Sequence, residues 1–278
     1  MLGEHSGQML VAAVLVMGLL VMSLLVAAYQ AHALFLRTRS VVAREAVSAI
    51  TADFNRALAT MLALATRSYY DSARFSDFTS RFESYGLEPR NLDSAKRVAF
   101  RYLNAWANLQ RIVYAEHGVQ ISWCPCVSDV SQLLGRPAYV FDLILIDWNK
   151  TTSGSYVCAR LQLNLTNVGF YHWVSASLIG LTLSIDQSCS GEDTLRIRVL
   201  ADNGTYYGLL LAKGWVEVYL LDSGGWRRIP IKDVTYEGFG IYRLRLEEDI
   251  KDGSRVLVVV SDERGILVLG QATLQGGC

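Results

Sequence analysis

From Met9 to Ala28 the chain carries no charged side chain and a single hydroxyl, Ser23, and the apolar character runs on to Leu34, Phe35 and Leu36. That run exceeds the roughly 20 residues a helix needs to cross a hydrocarbon core about 30 Å thick. A removable secretory signal has a shorter apolar region, about 7–15 residues, followed by a small-residue cleavage site. The stretch Ala27-Ala28-Tyr29-Gln30-Ala31 is where such a cut would fit. The expectation is a retained membrane anchor at 9–36 behind a short leader at 1–8.

No Gly or Pro interrupts the chain from Leu19 to Tyr85, so the anchor and the segment after it are expected to form one rod. Past the span, Val47, Ile50, Phe54, Leu58, Met61, Leu62 and Ala65 recur at steps of three or four, which marks one face of an amphipathic helix. A short aromatic pattern, Phe75, Phe78, Phe82 and Tyr85, stops near Gly86 and Pro89, where the chain is expected to turn. A further helix starts near Asn91 and places Leu92, Ala95, Ala99, Tyr102, Trp106, Leu109 and Val113 on one face, ending at His117 and Gly118. Residues 37–118 thus read as a helical stalk or hairpin.

From Val119 the composition turns to β-branched and aromatic runs divided by Gly, Asn, Asp and Ser. Strands are expected at 139–148, 156–165 and 170–185, forming a first β region over 119–189 against which the second stalk helix lies. A second region, 190–278, alternates Leu195, Ile197 and Val199 with Arg196 and Arg198, and continues in strands at 214–221, 226–231, 239–246, 255–261 and 266–274. Short strands joined by Asn-Gly and Asp-Gly-type turns indicate a sandwich. The expected fold class is α+β: a transmembrane helix, an amphipathic helical stalk, then an antiparallel β-sheet or β-sandwich head.

The 26 acidic and 26 basic residues balance, so the broad positive field that nucleic-acid binding needs is missing. Sidedness is contested within the sequence. Arg37, Arg39 and Arg44 follow the span and only Glu4 and His5 precede it, which by the positive-inside rule favours a cytoplasmic bulk. Three acceptor-type sequons, at Asn149, Asn164 and Asn203, and five cysteines beyond residue 120 favour the opposite side. Large domains translocate with little regard to flanking charge, so the bulk is expected outside the cytoplasm.

No nucleophile elbow, phosphate loop, dinucleotide fingerprint or HExxH motif occurs, and no cofactor is expected. The densest chemistry is Trp123-Cys124-Pro125-Cys126. A bridge from Cys124 or Cys126 to Cys158 or Cys189 would tie the first β region together. The alternative gathers Cys124, Cys126, His117 and Cys158 about zinc. Five is odd, so one thiol is left over, and Cys278, after Gly276-Gly277, is the candidate for a link between subunits or an idle end.

Gly7-Gln8 directly before the apolar stretch Met9-Leu10-Val11, an amphipathic continuation and a β head resemble the class III signal and N-terminal helix of archaeal type IV pilins. The resemblance covers residues 1–70. It implies that a prepilin-type membrane peptidase cuts between Gly7 and Gln8, leaving the helix on a subunit that sits in lipid and then self-assembles. The sequence departs from the pattern in two respects: Glu4 and His5 stand where the leader usually carries Lys or Arg, and Ala12 where many pilins have Glu. In the tail, Asp202-Asn203-Gly204, Val216-Glu217-Val218-Tyr219, Gly240-Ile241-Tyr242-Arg243-Leu244 and Val258-Val259-Val260-Ser261-Asp262 resemble immunoglobulin-like modules of prokaryotic surface proteins. The function these features suggest is a non-enzymatic, pilin-like surface subunit. The alternative is a monomeric single-pass protein whose extracytoplasmic head binds a partner or joins an envelope complex.

Overall fold

The computed structural model of the chain describes residues 4–74, 92–186, 194–206, 215–222, 225–251 and 253–274. The aromatic pattern at Phe75–Tyr85, the turn residues Gly86 and Pro89, the helix cap at Asn91, and Cys189 and Cys278 lie outside these residues.

One helix, α1 (Glu4–Arg74), joins span and stalk without a break. At 1.5 Å per residue its 71 residues reach about 105 Å. All seven residues of the expected stalk face, Val47, Ile50, Phe54, Leu58, Met61, Leu62 and Ala65, are buried. The lower stalk buries one side against α2 (Leu92–Val113). Between Ala57 and Thr66 burial spreads to Ala59 and Ala63 as well, leaving Arg56, Thr60, Leu64 and Arg67 as the outer strip. Here the helix is threaded into the head, with α2, the large sheet and strand β13 around it.

The large sheet is built on a long hairpin, β4 (Thr152–Leu165) and β5 (Phe170–Asp186). The free edge of β4 is shared: β3 (Val140–Asp147) pairs with its first half and β1 (Val119–Pro125) with its second. Beyond β5 lie β6 (Thr194–Ala201), β11 (Ile241–Leu246) and β10 (Ile231–Gly238), while β2 (Val127–Asp129) edges β3 and β7 (Thr205–Tyr206) edges β6. All these pairings are antiparallel. The smaller sheet has the order β13 (Leu267–Thr273), β12 (Arg255–Ser261), β8 (Val216–Asp222), β9 (Gly225–Ile229). Strand β13 lies over β4 and β5, so the two sheets and α1 enclose the main core.

A second, smaller core sits on the outer face of the large sheet. The segment after Cys126, including the short helix α3 (Ser131–Leu134), covers Phe141, Leu145, Tyr156 and Cys158. For this reason β4 is buried on both faces over its first half and alternates only from Arg160 onward. Tyr156 lies against Gly180, opposite it in the ladder, where an added Cβ would meet the ring at 2.0 Å. Only glycine leaves space for the ring there.

Several expectations need correction. The expected strand at 226–231 is two, broken at Pro230, which has no N–H to give a ladder. Strand β1, which alternates Val119, Ile121 and Trp123 with Gln120 and Ser122, is not among the expected strands, nor are the short β2 and β7; β10 is an edge strand, largely exposed, with little apolar alternation. Strands on both sides of residue 190 share the large sheet. In α2 the buried residues are Ser94, Ala95, Ala99, Leu103, Trp106, Ala107 and Gln110, whereas Leu109 and Val113 are 55% and 58% exposed. The expected stripe repeats every seven residues, and a straight helix falls behind that repeat by about 20° per heptad, which carries Leu109 off the face. The helix facing the large sheet most extensively is α1, with α2 packed on β1.

Candidate functional site

Val14–Leu34 is a 21-residue segment of α1 with a mean hydropathy of 2.2 and no buried residue. At 1.5 Å per residue it is about 32 Å long, the thickness of a hydrocarbon core. Its apolar side chains are exposed on every side, Leu19 at 70% and Leu24 at 69%. The Ser23 hydroxyl donates to the carbonyl of Leu20 at 2.8 Å, so even this polar atom is satisfied within the helix. By length and composition this helix can cross a membrane. Gly7 and Gln8 lie in the first turns of the same helix.

The stalk is fixed to the head by polar contacts set among its apolar ones. Asp53 Oδ2 accepts from Trp106 Nε1 at 2.8 Å and from Gln110 Nε2 at 2.6 Å, which locks α1 against α2. The buried Thr66 hydroxyl donates to the carbonyl of Leu62 in its own helix and accepts from the backbone N–H of Leu267 in β13 at 3.1 Å. Leu267 in turn is tied to the large sheet: its carbonyl accepts from Ser155 Oγ, which accepts from Trp148 Nε1. Near the helix end, Tyr70 and Tyr219 both donate to Glu217, which also pairs with Arg228. Burial, and the sharing of its proton with Glu217, push the Tyr219 hydroxyl well above its usual range.

The turn after β12 supplies a further clamp. Asp262 is buried and accepts from Arg264 Nε and from the N–H of Ile266. Arg264 reaches on to Asp202 and to the carbonyl of Gly180, joining the small sheet to the large one. Burial raises the Asp262 carboxyl above its ordinary value, with Arg264 opposing the shift.

Of the cysteine pairings left open by the sequence, the structure makes Cys126–Cys158, with Cα atoms 5.2 Å apart. The bridge lies in the outer core, and the N–H of Cys126 donates to the carbonyl of Cys158. Cys124 is free, half-buried in β1 opposite Arg160. With Cys126 and Cys158 joined, two of the four groups weighed for zinc are already bonded to each other. Among the described residues no three His, Cys, Asp or Glu side chains are grouped to hold a metal.

The sequon asparagines differ. Asn149 and Asn203 are exposed in turns, while Asn164 is engaged, its Oδ1 accepting from the N–H of His172 at 2.7 Å. Motif and periodicity do not single out Asp53, Thr66 or Tyr156. For Asp53 a signal exists: an acid next to Phe54 in an otherwise apolar pattern. Comparison with protein-family models, curated proteins and solved structures finds no match for this chain.

Proposed function

We propose that the chain is a non-enzymatic surface subunit of pilin-like layout, held in the membrane by the apolar part of α1, with stalk and β head outside the cytoplasm. One observation carries this reading. The same helix is bare around its whole circumference from Val14 to Leu34 and, from Ala57 to Thr66, buried against its own head on all but one outer strip. A helix that is apolar all round needs an apolar environment on every side, either lipid or a bundle of like helices. Lipid tails and neighbouring side chains are similarly apolar, so packing decides between them, and the helix can pass from bilayer to filament core. The threaded stalk makes the head follow the helix as one rigid unit. In this reading a prepilin-type peptidase releases the leader between Gly7 and Gln8, and glycans at exposed sequons would mark the outer side.

The test is the mass of the mature N-terminus in native material. A start at Gln8 supports the subunit. An intact Met1 points to the monomeric anchored protein with a binding or envelope-complex role, and a start near Ala31 removes the anchor and rejects both.

A further inference from the structure

One end of the head faces the span. Asn55 Oδ1 on α1 accepts from Ser177 Oγ on β5, and farther from the span Thr66 reaches, through Leu267, to Ser155, which lies opposite Leu181. Helix and strand therefore ascend together, and β5 starts at the low end. The close of α2 arrives at the same end, because α2 runs down beside β1: Arg111 donates to the carbonyl of Ile121, while Asn104, earlier in the helix, accepts from Trp123. One-turn helices at Ala115–His117 and Thr166–Val168 complete it, joined by Asn167 Nδ2 donating to the carbonyl of Glu116 at 2.9 Å.

The height of this end above the span follows from the two backbone repeats. From Ser177 down to Phe170 the strand covers about 23 Å at about 3.3 Å per residue. Along α1 the same drop from Asn55 is about 15 residues at about 1.5 Å each, which brings the end of the head to the level of about Ser40, a few residues higher for a strand that leans from the helix axis. Ser40 lies about 9 Å beyond Leu34, and a headgroup layer is about 5–8 Å deep on each side of the bilayer. The apolar run from Met9 to Leu36 is about 42 Å long, more than a core of about 30 Å takes up. The helix thus has slack to settle or tilt until the head meets the headgroups.

The rim of this end is apolar and aromatic. Ile112 and Val113, in the last turn of α2, are exposed, Ile112 by 73%. On β5 the register shifts between Leu163↔Trp173 and Leu165↔Phe170, so the strand carries an extra residue, with His172 at φ 61° and its N–H donated to Asn164. The bulge interrupts the alternation, and Tyr171, His172 and Trp173 are all exposed. Arg44 and Arg111 are exposed nearby, and Arg37 and Arg39 lie between span and head in the sequence. These four outnumber the acids of this end, Glu45 and Glu116.

We propose that this rim is a lipid-contacting surface, seated in the headgroup layer of the bilayer that α1 crosses. Indole and phenol rings favour that boundary because their bodies are apolar and their tips polar, and basic side chains there attract anionic headgroups. Tyr171, Trp173, Ile112 and Val113 lie at the boundary, with Arg44 and Arg111 toward the headgroups. Lipid is the occupant because α1 is unbroken, so the bilayer is the one surface held at a fixed height below the rim. The proposal rests on α1 spanning a membrane and is independent of whether the chain polymerises.

The full chain is reconstituted in mixed vesicles of phosphatidylcholine and phosphatidylglycerol, with and without phosphatidylcholine carrying a nitroxide on its headgroup, and carbonate extraction establishes insertion separately. The emission of Trp173, taken as the difference between the wild type and Trp173→Phe, is expected to fall about twofold or more with the nitroxide lipid. That of Trp226, an exposed indole in the smaller sheet taken by the same difference, is expected to stay unchanged. Ile112→Asp combined with Tyr171→Asp should restore about half of the lost Trp173 emission while the chain still resists carbonate. Where Trp173→Phe shifts the thermal transition, Ile112→Trp puts a reporter on an exposed turn of α2, and its added emission should be quenched likewise. Release of the chain by carbonate overturns the anchor and this proposal with it. An inserted chain whose rim indole is untouched by the nitroxide lipid, or whose quenching survives the paired Asp substitutions, overturns this proposal alone. Shielding of that indole from acrylamide without quenching by lipid overturns it too, and assigns the rim to a second copy of the chain.

Discussion

Thr66 and Leu267 lie 201 residues apart in the chain, yet the buried hydroxyl of one accepts the backbone N–H of the other at 3.1 Å. Through this bond the stalk end of α1 reaches the edge strand of the smaller sheet. The head therefore cannot release α1 without exposing an unpaired backbone donor.

Replacing Thr66 with Val keeps the branched shape and removes the acceptor. A buried N–H left unpaired costs about 1–3 kcal/mol, so the urea midpoint of the detergent-solubilised chain should fall accordingly. Thr66→Ser keeps the bond and should lose distinctly less. Equal losses in the two variants would show that the methyl group matters and the bond does not.

Asp53 gives one oxygen to two donors on α2. Hydrogen bonds to a charged acceptor are worth about 1.5–3 kcal/mol each, so Asp53→Ala should destabilise the head by about 3 kcal/mol, with Asp53→Asn intermediate because an amide oxygen can still accept. A double-mutant cycle with Trp106→Phe should show coupling between the positions. Strict additivity would mean that the bond contributes nothing.

Tyr156 gives a pH dependence whose sign is fixed. Burial raises its hydroxyl from 10.0 to about 12, only partly opposed by the bond to Thr182. The folded state thus holds the proton more tightly than the unfolded chain. Its contribution is complete below pH 10 and is lost as pH rises through 12. Near pH 7 Tyr156→Phe should be the less stable form by about 1 kcal/mol, through the lost bond. Between about pH 10 and 12 that deficit should shrink and reverse. Denaturation midpoints of both forms across this window check it, and a constant difference would rule it out.

The Cys126–Cys158 bridge closes a loop with a sequence separation of 32. Cys158→Ser should lower stability by about 2–4 kcal/mol, chiefly by freeing the unfolded chain. Peptide maps of alkylated, unreduced protein should show this pair joined and Cys124 modified. Finding Cys124 in the bridge instead would reverse the assignment.

Local periodicity determined much of this protein. The uncharged run to Leu36 made a helix long enough to span a bilayer, and each residue marked by steps of three and four in the α1 part of the stalk is buried, because a straight helix repeats its own geometry. Alternation likewise marked β6. What local pattern cannot carry is the choice of partner. The face that α2 buries depends on where α1 lies, and Gln110 joins it because Asp53 waits opposite. Strand β10 becomes a strand only through pairing with β11, and β4 loses its alternation because a distant segment covers its outer face. The selection of Cys126 over Cys124 is of the same kind. Cys124 lies opposite Arg160 in the ladder, while Cys126, just past the end of β1, meets Cys158, and only the assembled sheet sets that register.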